Sequence, residues 1–555
     1  MDRTPAGRPA LVSRTLAAAL SLVLVGMAAA KPIAPDEADI IRLLEQSTWG
    51  PNEASINDVK ALGIQGYIDK QLATPQNQYT AFEPWPANRP ATCVDDRTLP
   101  LTPTSFCARD NYTLFQLQRE FFEQAVMAPD QLRQRVAFAL SQIFVTSGTE
   151  INLAYAMQRY QQMLKDLAFA NFKDVLTRVT LSPAMGSYLD MVNNQKPNAA
   201  TGVEPNENYA REVLQLFSIG TAELKLDGTP LVDSQGKPIP TYGQDEIEGF
   251  AHVFTGWTYP ATPGTPPRTG LNPRYYDGPM EERSQFHAYG AKTLLNDGGA
   301  PANLTMSADL ANAINNIFVH PNVGPFIAKQ LIQKLVTGNP SPQYVERVAK
   351  VFNDNGAHVR GDLRAVVRAL LLDPEARGAL KDDPSYGRLR EPAQYVVAVA
   401  RSLNGKSDGV FFRAQAATLQ QPVFQAPSVF NFYPPDYVVP GTDLLGPEFA
   451  LQNTTTAFSR INFVNSLVYG TINPDSTVYG ATGSQLDWSG LTALAGTPDA
   501  LVDKVDRLLL HGTLSTASHD AIVAAVKAIN AADALGRAKA AFYLVATSSQ
   551  YQVER

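Results

Sequence analysis

Residues 206–220, NENYAREVLQLFSIG, carry the pattern that recurs along most of the chain and that decides its fold. Tyr209, Val213 and Phe217 are spaced at i, i+4 and i+8, and Leu216 completes an apolar helical face. Polar side chains crowd the start of this stretch: Asn206, Glu207, Asn208, Arg211 and Glu212. We therefore predict a helix whose polar first turn lies either on the surface or on one wall of an active site.

The same helical periodicity extends outward in both directions from this stretch. Clear examples are NYTLFQLQREFFEQAVM (111–127), PDQLRQRVAFALSQIFVTS (129–147), GPFIAKQLIQKLV (324–336) and GDLRAVVRALLLD (361–373). Residues 221–243 instead alternate around Asp227-Gly228, which predicts a small β-hairpin inserted between helices. Residues 73–110 are rich in Pro and are predicted to be irregular. Residues 259–305, rich in Pro and Gly, are predicted to form a long ordered loop with a few short strands. The fold prediction is mostly α: one large helical body over 31–555 with irregular loops and a small β-hairpin insertion.

Composition limits the classes of function. The chain is 45% hydrophobic and 18% charged, which are values typical of globular proteins. Its net charge is −7 and no stripe of Lys and Arg appears, so we predict no nucleic-acid partner. The sequence has no Gly-rich phosphate loop, no G-x-S-x-G elbow and no candidate Cys nucleophile. Nucleotide-dependent enzymes and elbow-type serine hydrolases are therefore disfavoured, and the residues indicate no particular cofactor.

The N-terminus has the pattern of a secretory signal peptide. Arg3, Arg8 and Arg14 precede an apolar run that ends at Ala30, after two more alanines. The alternative is a transmembrane anchor, but the run is about 16 residues long and spanning needs about 20. We predict a signal peptide over 1–30, no transmembrane anchor after cleavage, and a periplasmic or secreted location.

The chain contains two cysteines, Cys93 and Cys107. In an exported protein an even number of cysteines indicates a disulfide, which here would close a short Pro- and Thr-rich loop. A metal site is the less favoured alternative, because no His and no further Cys lies near them.

Carboxylates near the polar stretch suggest acid/base chemistry. Glycoside hydrolysis needs two carboxyl groups, and Asp190, Glu207 and Glu212 are the candidates for such a pair. Amide and guanidinium groups nearby are candidates to hold sugar hydroxyls or a carboxylate: Asn193, Asn206, Asn208 and Arg211. The alternative is a buried Glu–Arg–Asn network that fixes helix packing without any catalytic role.

Several further residues are candidates for function. His287 can act as a general acid or base, with Lys292 holding an anionic group; the alternative is that both anchor a loop. Trp257 is either a platform for sugar stacking or a core residue, and the core role is favoured. Glu248 and His252 have the spacing of metal ligands, but without a second His the pattern does not predict a metal site.

An aromatic and Pro-rich loop, SVFNFYPPDY (428–437), is a further candidate. It is either the rim of a carbohydrate or peptide site or a loop packed over the core by its aromatic rings. Because large apolar groups prefer burial, packing over the core is the favoured alternative.

Ordered sequence blocks over nearly the whole chain from about residue 36 resemble the bacterial DUF1800 family. The blocks are NENYAREVLQLFSIG (206–220), FAHVFTGW (250–257), HAYGAKTLL (287–295), VHPNVGPFIAKQLIQKLV (319–336), GDLRAVVRALLLDPEAR (361–377) and SVFNFYPPDY (428–437). The resemblance implies an exported protein of a family whose function is unknown. Its members are often encoded beside proteins of the DUF1501 family, which resembles sulfatases and alkaline phosphatases, so the resemblance implies a DUF1501-like partner.

The chain departs from the family pattern at three places. Residues 140–144 read LSQIF where shorter members have a stretch like Trp-His-Asn-His-Phe, so no metal role carries over. His252 stands where members commonly have Arg, and Ala288 stands where an Asp often follows the histidine of the third block. A His–Asp relay at His287 is therefore not implied by neighbouring residues.

Two hypotheses follow from these patterns. The first is an exported hydrolase or lyase that acts on polysaccharide or another envelope polymer by carboxylate acid/base catalysis. The second is a non-catalytic envelope protein that binds or assembles with a DUF1501-like partner. An accessible cleft that contains two of the candidate carboxylates would favour the first, and a sealed network would favour the second.

Overall fold

Helices make up most of the described chain, as the apolar periodicity predicts. The computed structural model describes residues 36–98, 101–378, 383 and 385–555, so the predicted signal peptide lies outside the described residues. The helices of the first half are α1 Glu37–Ser47, α2 Glu53–Ala73, α3 Cys107–Tyr112, α4 Phe115–Met127, α5 Gln131–Ile143, α6 Ala154–Asp166, α7 Phe172–Thr180, α8 Pro183–Tyr188, α9 Asn208–Gln215 and α10 Gln244–Val253.

The second half is also helical. Its helices are α11 Met306–Val319, α12 Val323–Leu335, α13 Pro342–Asn353, α14 Leu363–Leu372, α15 Pro374–Arg377, α16 Pro392–Arg401, α17 Val410–Thr418, α18 Thr454–Tyr469, α19 Ser489–Thr492, α20 Pro498–Leu510, α21 Thr516–Lys527, α22 Ala534–Ala546 and α23 Ser549–Gln552. The prediction of a mostly-α fold with a small β insertion is confirmed.

Strands are short and form antiparallel pairs of two residues each. The pairs are β1 Trp257–Thr258 with β2 Glu281–Glu282, β3 Lys292–Thr293 with β4 Gly299–Ala300, β5 Arg388–Leu389 with β8 Val553–Glu554, and β6 Lys406–Ser407 with β7 Ser484–Gln485. Three of these strands, β2 to β4, lie in segment 259–305, for which a few short strands are predicted. Strand β2 pairs with β1, and β3 packs against α10, so both hold the segment to the helical body.

The insertion at residues 221–243 contains the turn predicted at Asp227-Gly228 and a second turn that was not predicted. Gly228 has a φ of 77°, and its N–H donates to Lys225 O. The second turn is closed by Asp233, whose Oδ1 accepts from the backbone N–H groups of residues 235 and 237. A carboxylate that accepts from nearby backbone amides stabilises such a turn locally. The insertion is therefore a chain of three short paired segments rather than one hairpin.

Helix α12 lies at the centre of the body, in contact with α5, α11, α13 and α14. Ile327, Leu331 and Leu335 on this helix are fully buried. A second dense region surrounds Trp49, whose ring centroid lies 5.2 Å from those of both Phe121 and Phe138. Apolar burial of this extent is the dominant favourable contribution to folding.

Cys93 and Cys107 form a disulfide, as their number and context predict. The bridge joins the irregular segment to the first residue of α3. In the described residues, no helix is long and apolar enough to span a membrane.

Gly249 permits the close approach of α10 to β3. A Cβ atom at this position would lie 1.8 Å from Thr293 O, which belongs to the backbone and has little freedom to move away. We predict that Gly249→Ala lowers the free energy of unfolding by about 1–3 kcal/mol, the usual cost of overpacking. Urea unfolding followed by circular dichroism measures this change.

Gly490→Ala is the matched control, because a Cβ atom at that exposed helical position meets nothing within 4 Å. It should leave stability unchanged or raise it slightly, since Ala is the better helix former. Equal stability of the two variants would show that the approach of α10 to β3 is not tight.

Candidate functional site

Helix α9 begins at Asn208, inside the polar stretch. Asn206 Oδ1 accepts from Asn208 N–H at 2.8 Å. It thereby supplies an acceptor to one of the backbone N–H groups of the first turn, which have no partner within the helix. The apolar face predicted from the sequence is buried: Tyr209 and Val213 have almost no exposed surface. The polar side chains of this turn therefore lie away from that apolar face, and each of them has different neighbours.

The segment that follows α8 folds back onto the start of α9. Asp190 and Asn193 adopt left-handed backbone conformations, with φ of 57° and 63°. Asp and Asn tolerate this region better than other non-glycine residues. Asn194 then clamps the two segments, because its Oδ1 accepts from Asn206 N–H at 2.8 Å and its Nδ2 donates to Asn206 O at 3.2 Å. Asn208 Nδ2 also donates to Asp190 Oδ2, at 3.2 Å.

This fold-back creates a pocket of about 490 Å³ that opens to solvent. Here it is called the polar pocket, and its lining residues are Ser187, Asp190, Val192, Asn193, Asn194, Gln195, Val203, Asn206, Tyr259, Asn272, Pro273 and Arg274. The structure thus brings together three of the predicted site residues, Asp190, Asn193 and Asn206. Four of the lining residues come from segment 259–274, for which the sequence predicted only a long loop.

A second layer of hydrogen bonds holds the walls of the polar pocket. Thr258 Oγ1 donates to Asn193 Oδ1 at 2.6 Å and accepts from Asn272 N–H at 2.8 Å. Asn272 Nδ2 donates to Tyr259 O at 2.7 Å, and Asn272 Oδ1 accepts from Arg283. These bonds fix the side chains before any ligand arrives, which lowers the entropic cost of binding.

Other polar groups of the pocket have no partner. Within the described residues, Asn193 Nδ2, Asn206 Nδ2 and the side chains of Gln195 and Arg274 make no hydrogen bond. Asp190 Oδ1 is likewise open to a donor, because Asn208 occupies only Oδ2. The pocket therefore offers several N–H donors around one carboxylate.

Glu207 lies outside the polar pocket. Its carboxylate forms an ion pair with Arg211 at 3.0 Å and accepts from Gln244 Nε2 at 2.8 Å. Both side chains of the ion pair are partly exposed, so it contributes about 0–1 kcal/mol to stability. Glu207 joins α9 to α10 at the surface and is not among the pocket's lining residues.

Glu212 also lies outside the polar pocket, on the buried side of α9. Burial raises the pKa of its carboxyl group, and Arg211 counteracts this only in part. Its Oε2 atom is buried without a hydrogen-bond partner. Of the residues that the structure describes around the polar pocket, Asp190 is the only carboxylate. The three predicted carboxylates thus do not form one accessible pair.

His287 and Lys292 belong to a third, sealed environment. His287 Nε2 lies 3.1 Å from Asp309 Oδ2, and Lys292 Nζ lies 2.5 Å from the same oxygen. His287 Nδ1 lies 2.9 Å from Thr255 O. His287 and Asp309 have no exposed surface, and Lys292 has almost none. The geometry is that of the loop anchor weighed for these residues, with Asp309 of α11 as the acidic partner.

Trp257 and His252 sit apart from the polar pocket. Trp257 is 4% exposed, which agrees with the core role favoured for it. Burial lowers the pKa of His252, and the nearby Lys292 lowers it further. In the part of the chain that the structure describes, no group of three or more His, Cys, Asp or Glu side chains is arranged to hold a metal ion.

Sequence reasoning missed Tyr259, Asn272 and Arg274 in the polar pocket and Asp309 beside His287. The only signal for the first three was the length of the irregular segment, since long loops in compact proteins are often functional. Asp309 lies 22 residues after His287 and had no local signal at all.

A family model described as "Protein of unknown function (DUF1800)" matches residues 42–553. This match covers almost all of the described residues and agrees with the resemblance seen in the ordered blocks. No curated protein matches the chain, and no solved structure matches it.

We predict that Glu212 makes stability depend on pH. In the folded chain the pKa of Glu212 is raised above the ordinary value of 4.5. As pH rises, the unfolded chain therefore loses this proton at a lower pH than the folded chain does. Stability should therefore fall as pH rises above 4.5, and Glu212→Gln should remove this contribution. Melting temperatures are measured from pH 4 to 8. The melting temperature of Glu212→Gln minus that of the wild type should increase as pH rises.

Glu207→Gln, at a partly exposed carboxylate one turn away, is the control and should follow the wild-type profile. Parallel profiles for wild type and Glu212→Gln would mean that burial of Glu212 has no energetic consequence.

We also predict that Asp309→Asn destabilises the protein by about 3 kcal/mol or more. The substitution leaves the Lys292 ammonium buried without its carboxylate, and breaking a buried pair in this way costs about 3–5 kcal/mol. Asp503→Asn is the matched control, because Asp503 pairs with His519 at 3.0 Å on the surface of α20. Its effect should stay below about 1 kcal/mol. Similar losses in urea unfolding would contradict a structural role for the buried cluster.

Proposed function

Because the chain belongs to the DUF1800 family, whose function is unknown, we propose a function from the polar pocket itself. We propose that the chain is a binding protein for a hydroxyl-rich ligand, most simply a segment of polysaccharide. The observation that carries this proposal is the convergence of Asp190, Asn193 and Asn206 on one open pocket with free donors. Arg274 and Gln195 extend the set of donors at its edge.

The chemistry of these groups suits sugar hydroxyls. A hydroxyl group both donates and accepts, so it can donate to Asp190 Oδ1 while accepting from an amide N–H. Asn193 and Asn206 line the pocket, and their Nδ2 groups, which make no hydrogen bond within the described residues, are available as such donors. The buried ring of Tyr259 adds an apolar surface of the kind that binding pockets combine with a few polar groups.

Binding is a better account of the polar pocket than hydrolysis by paired carboxylates. That reaction needs one carboxyl group as acid and a second as base or nucleophile, about 5–9.5 Å apart across the bond that breaks. Asp190 has no such partner among the described lining residues, because Glu207 is held by Arg211 and Glu212 faces the interior. The proposal therefore favours the second hypothesis raised by the sequence.

The N-terminal sequence indicates the source of the ligand. The basic, apolar and small-residue regions over 1–30 are typical of export, so we propose an envelope polysaccharide in the periplasm or outside the cell. A DUF1501-like partner remains part of this proposal, as the resemblance implies.

The test is calorimetric titration of the purified chain from Lys31 onward, which keeps every described residue. Soluble oligosaccharides of peptidoglycan, β-glucan, xylan and pectin are the ligands. For an oligosaccharide that binds, Asp190→Asn should weaken binding on the order of tenfold or more, because it removes a charged acceptor. Asn tolerates the left-handed backbone at this position, so the fold should persist.

Asp297→Asn is the matched control, since Asp297 is exposed and has a similar φ of 54°. It should leave binding unchanged. Release of reducing ends is measured in the same samples. If the wild type releases reducing ends and Asp190→Asn does not, catalysis replaces the binding proposal. If no oligosaccharide binds, the binding proposal is refuted.

A further inference from the structure

A second cavity lies at the C-terminal end of α9 and shares no lining residue with the polar pocket. Its volume is about 500 Å³. Three parts of the chain form its walls. The first is α12, the second is the end of α9 together with the start of the β insertion, and the third is the aromatic and Pro-rich loop at 428–437. We call it the lysine cleft, after Lys334. Three of the sequence blocks that carry the family resemblance meet here, although they are distant in sequence.

The walls of the lysine cleft are mainly apolar. Leu216 and Ile219 come from the end of α9, Phe326 from α12, and Val429 and Phe430 from the aromatic loop. Phe430 is 52% exposed and lies at the mouth. A cavity of this size and character suits a small molecule with an apolar body.

Lys334 lines the cleft and is 5% exposed. Among the described residues, its ammonium group has no hydrogen-bond or ion-pair partner, and it lies 4.2 Å from the centroid of the Tyr433 ring. A cation–π contact contributes about 0.5–2 kcal/mol, which is less than the cost of removing an ammonium group from water. Three N–H donors on a buried cation are thus left without an acceptor.

Neither nearby carboxylate forms an ion pair with Lys334. Glu391 Oε2 accepts from Gln142 Nε2 at 2.7 Å, from Gln421 Nε2 and from Tyr433 Oη. Glu448 Oε1 lies 3.5 Å from Arg388, and its Oε2 is buried without a hydrogen-bond partner. Both carboxylates stabilise the Lys334 ammonium through their charge, although neither lies within ion-pair distance. Burial lowers the pKa of Lys334 to about 8, so the amine is still mostly charged at neutral pH.

Two more donors without partners belong to residues that line the same cavity. Gln330 Nε2, one turn before Lys334 on α12, and Asn431 Nδ2 are both buried without an acceptor. Among the described lining residues, Gln333 Oε1 is a buried acceptor without a donor, and the exposed carboxylate of Asp436 also has no hydrogen bond. Buried polar groups are almost always hydrogen-bonded in folded proteins, so unfilled donors in a cavity indicate a ligand that supplies acceptors.

We propose that the lysine cleft binds a small amphipathic carboxylate, with its carboxylate group at Lys334, Gln330 and Asn431 and its apolar body along Phe326 and Phe430. The buried cation and the two amide donors match a singly charged group with two acceptor oxygens. The partly buried Lys329 adds a second cation to the lining of the cleft. The apolar walls account for the body of the ligand and exclude a fully hydrated anion.

The experiment uses the purified chain from Lys31 onward and three carboxylates: hexanoate, decanoate and 4-phenylbutyrate. Each is compared by calorimetry at pH 7 with its neutral primary amide. We expect at least one carboxylate to bind at least tenfold more tightly than its amide. Lys334→Met should abolish this preference, while Lys350→Met, at an exposed lysine of α13, should retain it.

Phe430→Ala is a second test variant in case Lys334→Met does not fold. Because the Phe430 side chain is exposed, its replacement should leave the fold intact. It should weaken carboxylate binding about fivefold or more by removing part of the apolar wall. Asp190→Asn, in the polar pocket, should leave carboxylate binding unchanged, so this proposal and the proposed function fail independently.

Three results would overturn the proposal. The first is no binding of any of the three carboxylates at millimolar concentration. The second is a carboxylate preference that persists in Lys334→Met. The third is binding unaffected by Phe430→Ala, which would place the ligand elsewhere.

Discussion

The buried ion pair between Arg388 and Glu554 joins the middle of the chain to its last residues. The two side chains lie 3.1 Å apart and have almost no exposed surface. Gln394 connects them, since it donates to Glu554 Oε2 at 2.8 Å and accepts from Arg388. An unpaired charge at this depth would cost several kcal/mol, so Glu554 depends on Arg388, and Arg388 depends on its carboxylate partners, of which Glu554 is the nearer. We infer that the core around α16 is complete only when the C-terminal strand β8 has paired with β5.

This constraint reaches the surface through a short series of contacts. Arg388 pairs with Glu448 as well as with Glu554, and its charge also stabilises the carboxylate of Glu391. Glu391 in turn holds Tyr433 by a hydrogen bond of 2.7 Å, and Tyr433 fixes the aromatic loop that forms one wall of the lysine cleft. The shape of that cleft is thus set by a charge network that never touches solvent. The loop itself combines both roles considered for it, since Tyr433 is buried and Phe430 is exposed at the mouth.

Local periodicity was sufficient to predict the type of fold, although it did not predict every helix, such as α18. The buried positions Tyr209 and Val213 follow directly from i, i+4 spacing, and Asp227-Gly228 predicted a turn from its own chemistry. The site was less predictable, because spacing shows which side chains share a helical face but not which segment packs against that face. The loop containing Asn272 was not placed by any local pattern, and neither was Asp309, which reaches His287 only through the packing of α11.

The polar first turn of α9 illustrates why a cluster in sequence need not be a cluster in space. Successive helical residues are rotated by about 100°, so side chains within one turn meet different surroundings. Glu207 faces solvent and an ion pair, Glu212 faces the interior, and Asn206 and Asn208 face the segment that carries Asp190. Acid/base catalysis by two carboxylates requires both groups in one accessible cleft, and this helix separates its two glutamates instead. What the turn does assemble is a set of amides around one carboxylate. This arrangement is better suited to hydrogen bonding with hydroxyl groups than to breaking a glycosidic bond.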